Sequence, residues 1–272
     1  MIRQNLHTHT IFCDGKNTPG EMAQAALDAG LTSLGFSGHS PMPWSNDWGM
    51  TSEKLPGYRA AVAAAKEAYA GRLAIYCGVE WDSLSVPEFD GYDFVIGSVH
   101  HIDMGLPGEP PSVDNTPAAT ADALARYFGG DPGSMAEAYF AGYETIADTA
   151  AVDIVGHFDL LTKFDEKAGF FDETDPRFFD VAIAAMERLL RAGKLFEINT
   201  GAMSRGWRTA PFPSRRLLRE LKARGARMLV SSDSHSAGTI AYAFDEAEAL
   251  LRDTGFTERW ELTDAGFRPV SL

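Results

Sequence analysis

Seven short apolar segments alternate with longer segments of helical pattern, and this alternation constrains the fold more than any other feature of the chain. The apolar segments span residues 3–7, 33–39, 73–80, 92–100, 153–157, 194–199 and 227–233. Most contain β-branched and large apolar residues, which is typical of strands buried on both faces. Strands that alternate with helices run parallel, because each helix carries the chain back to the end of the sheet where the next strand begins.

The helical segments carry recognisable end signals. Thr18 is a candidate N-cap, Pro19 occupies the first turn, and Glu21 stands three residues after the cap, as in a capping box. Gly30 follows this first helix, which is typical of a helix C-terminus. Further helices are predicted from residue 51 or 52 to 70 and over residues 134–150, 175–192, 214–224 and 239–251.

The residues that end the apolar segments decide between two parallel architectures, an open doubly wound sheet and a barrel. All seven segments end in a polar or ionisable residue, and six end in His, Glu or Asp. An open sheet concentrates its site at one crevice, whereas a barrel collects the carboxyl ends of all its strands around one mouth. We therefore predict an α/β fold, a TIM-like (β/α) barrel of about seven strands, with the site at the C-terminal ends of the strands.

The segment 103–133 interrupts the alternation, because it is rich in Gly and Pro. A loop of this length in a compact domain is usually a functional lid or a disordered segment. We therefore predict a single barrel domain over residues 1–272, with a lid-like insertion at about 103–133.

Charge restricts the expected partners. The chain carries 38 acidic and 24 basic side chains, a formal net charge of −14. Phosphate backbones and anionic membranes attract surfaces rich in Lys and Arg, so neither a nucleic acid nor a membrane is an expected partner. A small phosphorylated substrate in a locally positive pocket stays compatible with this charge, and the oligomeric state is left open.

Cysteine usage and the N-terminus bear on the compartment. Cys13 and Cys77 do not resemble the disulfide framework of a secreted protein, and both are expected to be small buried residues rather than thiolate ligands. The first ten residues lack the apolar core of a signal peptide, and no apolar run reaches the roughly 20 residues of a membrane span. A cytoplasmic location is therefore expected.

All seven histidines of the chain lie at the ends of the predicted strands. They are His7, His9, His39, His100, His101, His157 and His235. Residues two apart in a strand point the same way, so the imidazoles of His7 and His9 can face one metal ion. Histidines with separate structural roles would be scattered along the chain, and the clustering therefore predicts a metal site.

The set of candidate ligands is larger than one ion needs. Together with the carboxylates at strand ends, the histidines exceed the four ligands of a tetrahedral ion. We therefore predict two or three ions of the Zn, Mn or Fe type, with a carboxylate such as Glu80 bridging a pair.

The order and spacing of these motifs resemble those of the polymerase and histidinol phosphatase (PHP) superfamily. The motifs are H-x-H-x4-D at 7–14, GHS at 38–40, GVE at 78–80, GSVHH at 97–101, GH at 156–157 and SDSH at 232–235. Longer segments are most similar to the monofunctional histidinol-phosphate phosphatases. They are HTHTIFCDG at 7–15, YDFVIGSVHHID at 92–103, DIVGHFDLLTKF at 153–164, FEINTGAMSRG at 196–206 and PFPSRRLLRELKARG at 211–225.

The resemblance implies a distorted (β/α)7 barrel with three divalent metal ions (Zn, Mn or Fe). Motif by motif, the first ion would be held by His7, His9, Glu80 and Asp233, the second by Glu80, His100 and His157, and the third by Asp14, His39 and His235. Glu80 would bridge the first two ions.

Two positions complicate the transfer of the family pattern. Asn5 stands where members often have an acidic residue, so a contact to His7 or His9 is expected to differ. His101 directly follows His100, and adjacent residues of a strand face opposite sides. Only one of the two is therefore expected to point into the mouth, with His100 as the ligand and His101 as a loop residue or substrate contact.

The charge of a phosphate monoester sets the requirements for its hydrolysis. Closely spaced cations neutralise the ester oxygens and lower the pKa of a bridging water, which would attack phosphorus as hydroxide. Arg205 is the best candidate for binding further phosphate oxygens, because a guanidinium fits two of them, and Lys163 is the second. Asp233 or His235 could assist the departing alkoxide. Trp44 and Trp48, in the loop after His39, are predicted to wall the substrate pocket, with simple loop packing as the alternative.

These features predict a metal-dependent phosphomonoesterase that hydrolyses L-histidinol phosphate to L-histidinol and phosphate in histidine biosynthesis. The ligand set and Arg205 support the reaction class, whereas the resemblance implies the substrate, whose aminium group suits an acidic chain. Three alternatives stay open: a PHP phosphoesterase for nucleotides or other small phosphates, a non-catalytic PHP module that binds a partner, and an amidohydrolase-type barrel. The last would usually need a carbamylated Lys where the fourth strand ends in His100.

Overall fold

Seven parallel strands form one sheet in which each strand pairs with the next along the chain. In the computed structural model, which describes residues 1–272, they are β1 (Gln4–Asn5), β2 (Ser33–Phe36), β3 (Ala74–Asp82), β4 (Phe94–Ser98), β5 (Ile154–Val155), β6 (Leu195–Asn199) and β7 (Met228–Ser231). Just beyond β1 and β7, Thr8 and Ser234 form a parallel bridge, and the amide of His9 donates to the carbonyl of Ser234 at 2.8 Å. The sheet is therefore a nearly closed ring, and the predicted TIM-like α/β barrel is confirmed.

Helices lie in every connection between consecutive barrel strands except the one between β3 and β4. The helices are α1 (Pro19–Asp28), α2 (Leu55–Ala68), α3 (Pro117–Phe128), α4 (Pro132–Ala141), α5 (Tyr143–Asp148), α6 (Asp165–Ala168), α7 (Pro176–Arg191), α8 (Gly201–Ser204), α9 (Arg215–Ala223) and α10 (Phe244–Thr254). The predicted capping box of α1 is confirmed, because Thr18 Oγ1 accepts from the amide of Glu21 and the Glu21 carboxylate accepts from the amide of Thr18. None of the helices has both the length and the apolar composition that a membrane span needs.

Buried apolar side chains form a large group and a small one. The large group includes residues of every long helix and packs between the strands and those helices. The small group alternates with it along the strands and comprises Leu6, Tyr76, Phe94, Ile96, Ile154, Leu195, Leu229 and Leu262. Because successive strand residues face opposite sides of a sheet, this small group fills the interior of the barrel.

Phe94 occupies interior space that two glycines leave free. A Cβ atom on Gly78 would lie 2.3 Å from the Phe94 ring, and one on Gly35 would lie 2.7 Å from it. No other residue has a side chain small enough for these two positions of β2 and β3, since real Cβ atoms do not approach a neighbour this closely. The ring and the glycines together make a dense apolar floor.

The polar residues of the site occupy the next inward-facing positions of the strands, on the carboxyl-terminal side of the apolar floor. Two residues after Ile96 comes Ser98, and two residues after Leu195 comes Glu197, both of them buried. The same spacing on β3 leads from Gly78 to Glu80. The strand period therefore places a polar layer directly on the apolar floor, at the carboxyl ends of the strands.

A C-terminal hairpin of β8 (Glu258–Thr263) and β9 (Gly266–Ser271) covers the opposite end of the barrel. Leu262 joins the interior apolar group, and its amide and carbonyl pair with the side chain of Gln4 at 2.8 and 2.9 Å. The sequence does not predict this hairpin. Most residues of the hairpin are at least partly exposed, so the segment lacks the continuous apolar run that marks a buried strand.

The predicted lid-like insertion at 103–133 needs correction. Residues 117–128 form α3, and Thr116 caps this helix by accepting from the amide of Ala119 at 3.1 Å. Pro117 and Pro132 were expected to belong to a loop, but each begins a helix, where the missing amide hydrogen costs nothing. Residues 103–116 and the short turn 129–131 are irregular. The helix predicted over 134–150 is likewise divided into α4 and α5.

Replacing Phe94 with Ala should lower the free energy of unfolding by about 3–5 kcal/mol, because it empties a closed part of the interior. Denaturant unfolding followed by circular dichroism measures this change. Leu106→Ala is the control, since Leu106 is 61% exposed, and its effect should stay within about 0.5 kcal/mol. Equal effects of the two variants would contradict the packing role of Phe94.

Candidate metal centre

A pocket of about 350 Å³ opens at the carboxyl ends of the strands. Its lining is strongly polar and consists of Asp14, His39, Asp47, Trp48, Glu80, His100, His101, Glu109, Ser112, Asp114, Asn115, His157, Leu160, Lys163, Arg205, Asp233 and His235. His7 and His9 are fully buried and adjoin the same cluster. The barrel therefore brings all nine predicted metal ligands to one place.

The carboxylate of Glu80 lies at the centre of this cluster. Its Oε1 atom is 2.9 Å from Nε2 of His157 and 3.3 Å from Nε2 of His100. Its Oε2 atom is 3.1 Å from Nε2 of His7 and 3.0 Å from Nδ1 of His39. A carboxylate with imidazoles beside both oxygens occupies the position that a bridging ligand requires.

The charges around Glu80 depend on one another. Burial by itself would raise the pKa of Glu80, but the imidazoles of His7, His39 and His100 hold this pKa well below its usual range. Burial and the neighbouring imidazoles lower the pKa of His9 to about 3. The carboxylate thus requires compensating positive charge, while the crowded imidazoles cannot all be protonated together. Divalent cations satisfy both conditions.

The candidate ligand atoms fall into four groups, and within each group all of these atoms lie within 4.8 Å of one another. The groups are His9, Asp14, His39 and His235; His7, His9 and Asp233; His7, Glu80 and His157; and His39, Glu80 and His100. The first contains the whole set implied for the third ion. His100 and His157, which the resemblance assigns to a common ion, fall in different groups that share Glu80.

Three buried polar atoms test whether the donor set fits metal ions. Nε2 of His7, Nε2 of His9 and Oε2 of Glu80 are buried and make no hydrogen bond. Unpaired buried polar atoms are costly, so such atoms usually have a partner. These three converge, because the Glu80 oxygen lies 3.1 and 3.4 Å from the two nitrogens. Imidazole and carboxylate donors are ligands of Zn, Mn and Fe, and the residues present fit such ions.

His100 and His101 both line the pocket, so the expectation that only one faces the mouth is wrong. β4 ends at Ser98, and the alternation of a regular strand does not extend to the residues after it. His100 approaches Glu80, whereas His101 stacks on Trp48 with ring centroids 5.6 Å apart. His101 belongs to no group of ligand atoms.

Of the two tryptophans predicted to wall the pocket, Trp48 lines it and Trp44 does not. Trp44 instead lies edge-on to His101, with ring centroids 5.2 Å apart, and lines a separate groove with Met42 and Met50. Both tryptophans lie in one irregular loop, in which no sequence period indicates which ring faces the site.

Arg205 and Asp233 are in direct contact at the mouth. One guanidinium nitrogen donates to Oδ2 of Asp233 at 2.9 Å, and the other donates to the Asp233 carbonyl at 3.1 Å and lies 3.2 Å from Nδ1 of His235. Asp233 has a φ of +47°, an uncommon conformation for a residue with a Cβ. A Cβ on Gly201 would lie 2.7 Å from Oδ2 of Asp233, so a glycine is required here. The three predicted catalytic residues thus lie side by side.

Lys163 lines the pocket but is already engaged. Its ammonium donates to the carboxylate of Asp114 at 3.0 Å and to the carbonyl of Asp114 at 2.8 Å. Burial would raise the pKa of Asp114, but the charges of Lys163 and His100 hold this pKa below its usual range. The ion pair ties the 103–116 segment to the turn that follows β5.

Two carboxylates outside the predicted ligand set contact the ligands. Asp82 follows Glu80 on the same strand, a position from which a contact to the substrate or to a ligand is expected, and it lies 3.1 Å from Nδ1 of His100. Glu197, for which the sequence predicts no role, lies 3.1 Å from Nδ1 of His7. Asn5 contacts no imidazole, because its side chain accepts from the amide of His7 and donates to the Ile240 carbonyl. A charged residue inside an otherwise apolar strand is the signal that could have found Glu197.

Comparisons with known proteins agree with this arrangement. The family model described as PHP domain matches residues 5–201. A protein of Deinococcus radiodurans named "Probable histidinol-phosphatase" is 35% identical over 264 residues, which cover 92% of this chain and 92% of the relative. The histidinol-phosphatase of Bacillus subtilis is 26% identical over 272 residues, covering 90% of this chain and 98% of the relative.

A solved structure of the same fold is that of histidinol phosphate phosphatase from Lactococcus lactis subsp. lactis, complexed with zinc, L-histidinol and phosphate. The two chains are 18% identical, 98% of each is covered, and the TM-score is 0.73. Because the PHP model matches more than half of the chain and the Deinococcus relative spans nearly all of it, this protein belongs to the PHP domain family.

Proposed function

We propose that this protein is a metal-dependent phosphomonoesterase that hydrolyses L-histidinol phosphate to L-histidinol and phosphate. The observation that carries the reaction class is the convergence of imidazoles and carboxylates on the buried Glu80, in a pocket that also contains Arg205. The names of the relatives support the substrate. Histidinol phosphate is small enough for a pocket of about 350 Å³.

We propose three divalent ions of the Zn, Mn or Fe type. One ion would take Asp14, His39 and His235, and a second His7, His9 and Asp233, as in two of the groups of ligand atoms. A third would take Glu80 with His100 and His157, the set that the resemblance implies. When bound, such ions neutralise phosphate oxygens and bring the pKa of a coordinated water near neutrality. Glu80 would bridge the third ion to a neighbour, because imidazoles of the other groups lie beside its second oxygen.

Arg205 is the residue proposed to bind the phosphate oxygens. Its guanidinium lies at the mouth, beside Asp233 and His235, and a planar guanidinium can donate to two oxygens at once. Asp233 and His235 are therefore close to the ester oxygen of a phosphate held by Arg205. Asp233 itself is ionised, because Arg205 and the neighbouring imidazoles outweigh the effect of burial, which would raise its pKa, and hold this pKa well below its usual range. The charge on the departing alkoxide would therefore be neutralised by a metal ion or by a proton from a water molecule beside these residues. Lys163 adds positive charge to the same pocket.

The outer part of the pocket suits a positively charged leaving group. Asp47 and Glu109 are exposed and line the pocket together with Asp114, and only Asp114 is paired with a cation there. Carboxylates attract the aminium group of histidinol and repel additional phosphates. Trp48 and His101 provide flat surfaces on which the imidazole of the substrate can stack.

With Mn or Zn supplied, kcat/KM for L-histidinol phosphate should exceed that for p-nitrophenyl phosphate and for nucleoside monophosphates by about 10-fold. The reason is that the exposed carboxylates of Asp47 and Glu109 each contribute an ion pair worth about 0.2–1 kcal/mol to the aminium group. Phosphate release from a panel of monoesters measures the preference. If a nucleoside monophosphate had a kcat/KM equal to that of histidinol phosphate, the protein would instead be a nucleotide phosphoesterase. Similar kcat/KM values for all the monoesters would contradict the substrate assignment.

Replacing Glu80 with Gln should reduce kcat by at least about 100-fold and release at least one ion. The substitution removes the negative charge from the centre of the cluster. Substituting a residue that merely contacts a metal ligand already lowers metal affinity or activity by about 10–100-fold, so the loss of a proposed bridging ligand should cost at least as much. Activity assays and metal analysis of purified protein give the two readouts. Glu88→Gln is the matched control, because Glu88 lies outside the pocket and pairs with Arg59. A Glu80→Gln enzyme with normal turnover would contradict the metal assignment.

Replacing Arg205 with Ala should weaken inhibition by inorganic phosphate and raise KM, each by about 10–100-fold, since a hydrogen bond to a charged group contributes about 1.5–3 kcal/mol. Metal content should not change, because Arg205 contacts a proposed ligand but is not one. Arg215→Ala on α9 is the control, as Arg215 is exposed and away from the pocket. Loss of metal from the Arg205 variant would show that its main role is to hold Asp233.

A further inference from the structure

Glu197 is the contribution of β6 to the site. Every other strand of the ring ends within about three residues of a proposed metal ligand, whereas β6 ends at Asn199 with no proposed ligand nearby in the sequence. Glu197 is completely buried, and both of its carboxylate oxygens lie 3.1 Å from Nδ1 of His7. The opposite nitrogen of that ring, Nε2, lies 3.1 Å from Oε2 of Glu80. His7 is thus held between two carboxylates, one on each side of the ring.

We propose that Glu197 is a positioning residue that keeps the proton of His7 on Nδ1 and directs Nε2 toward the metal ions. A carboxylate that accepts from one imidazole nitrogen selects the tautomer, orients the ring and makes the other nitrogen a stronger ligand. The inference rests on the metal centre of the proposed function, not on the identity of the substrate.

The carboxylate of Glu197 is itself held from three strands. The hydroxyl of Ser231 on β7 donates to Oε2 at 2.6 Å. The amide of His157, just after β5, donates to Oε1 at 2.8 Å, and the side chain of Asn199 on β6 donates to the same oxygen at 2.7 Å. A carboxylate with this many donors has one available orientation, and the ring of His7 takes its own orientation from it.

The other ligand histidines show that this contact is selective. Nδ1 of His157 is buried and has no partner, and Nδ1 of His9 has only the sulfur of Cys13 at 3.5 Å. His100 is the one further case in which a carboxylate outside the ligand set, that of Asp82, lies at Nδ1. Carboxylates outside the ligand set therefore contact Nδ1 of two imidazoles, those of His7 and His100. The Nε2 atoms of these two rings lie beside different oxygens of Glu80.

Glu197→Gln tests the proposal, because it keeps the shape of the side chain and removes the charge. Metal affinity, measured by competition with a chelator and metal analysis, should fall by about 10–100-fold. Asp159→Asn is the matched control. Asp159 is a buried carboxylate near the end of β5 that accepts from the amide of Ser214 and contacts no ligand imidazole. Its affinity should stay within about 2-fold of the wild type, as expected for an independent site.

Nitrogen NMR of the zinc-loaded protein separates positioning from a purely structural role. In the wild type Nε2 of His7 should bind the metal while Nδ1 carries a strongly hydrogen-bonded proton, and in Glu197→Gln the signal of that proton should shift or disappear. Should Glu197→Gln fail to fold, Ser231→Ala provides a milder test, because it removes only one donor to the carboxylate and should weaken metal binding by about 3–10-fold. Denaturant unfolding shows that each variant folds.

The outcomes identify which proposal fails. Wild-type metal affinity and an unchanged signal of the Nδ1 proton of His7 in Glu197→Gln would overturn the role of Glu197, even if the variant is less stable. Wild-type protein that retains fewer than two ions would contradict the proposed metal centre itself.

Discussion

The buried carboxylate of Glu80 is the group on which the site depends. It lies within 3.4 Å of imidazoles that follow β1, β2, β4 and β5. A buried negative charge is costly unless positive charge surrounds it, and crowded imidazoles are costly to protonate. The barrel solves both problems by bringing the carboxyl ends of its strands to one point, where divalent cations fit. A ring of short strands is therefore sufficient to build a large ligand set.

The barrel interior changes character along its axis. Phe94 and the glycines around it form a dense apolar floor, and two residues later on the same strand faces the side chains become polar. Above this layer, Arg205 provides positive charge for a phosphate, and the outer carboxylates provide negative charge for an aminium group. The pocket is thus suited to a small molecule with opposite charges at its two ends. The Lys163–Asp114 ion pair joins the 103–116 segment to this arrangement.

Regular secondary structure made much of this predictable. The seven strands, the capping box at Thr18 and the convergence of strand ends follow from periods and end signals that a single sequence contains. Predictions failed where the chain is irregular. Pro117 and Pro132 begin helices where the sequence predicts a loop, and of the two tryptophans predicted to wall the pocket only Trp48 lines it. In such segments no repeating pattern relates a residue's number to the direction of its side chain.

The sequence by itself determined the chemistry of the site: which strands end in imidazole or carboxylate groups, and hence that metal ions rather than a nucleophilic side chain are the agents expected at the mouth. Only the tertiary structure decided how these groups meet. It turns Nε2 of His7 toward Glu80 and its Nδ1 toward Glu197, and it sets Arg205 against Asp233. The reason is physical. Residue type and strand period are local properties, whereas the contact between two strand ends depends on barrel closure and on the stagger between the strands.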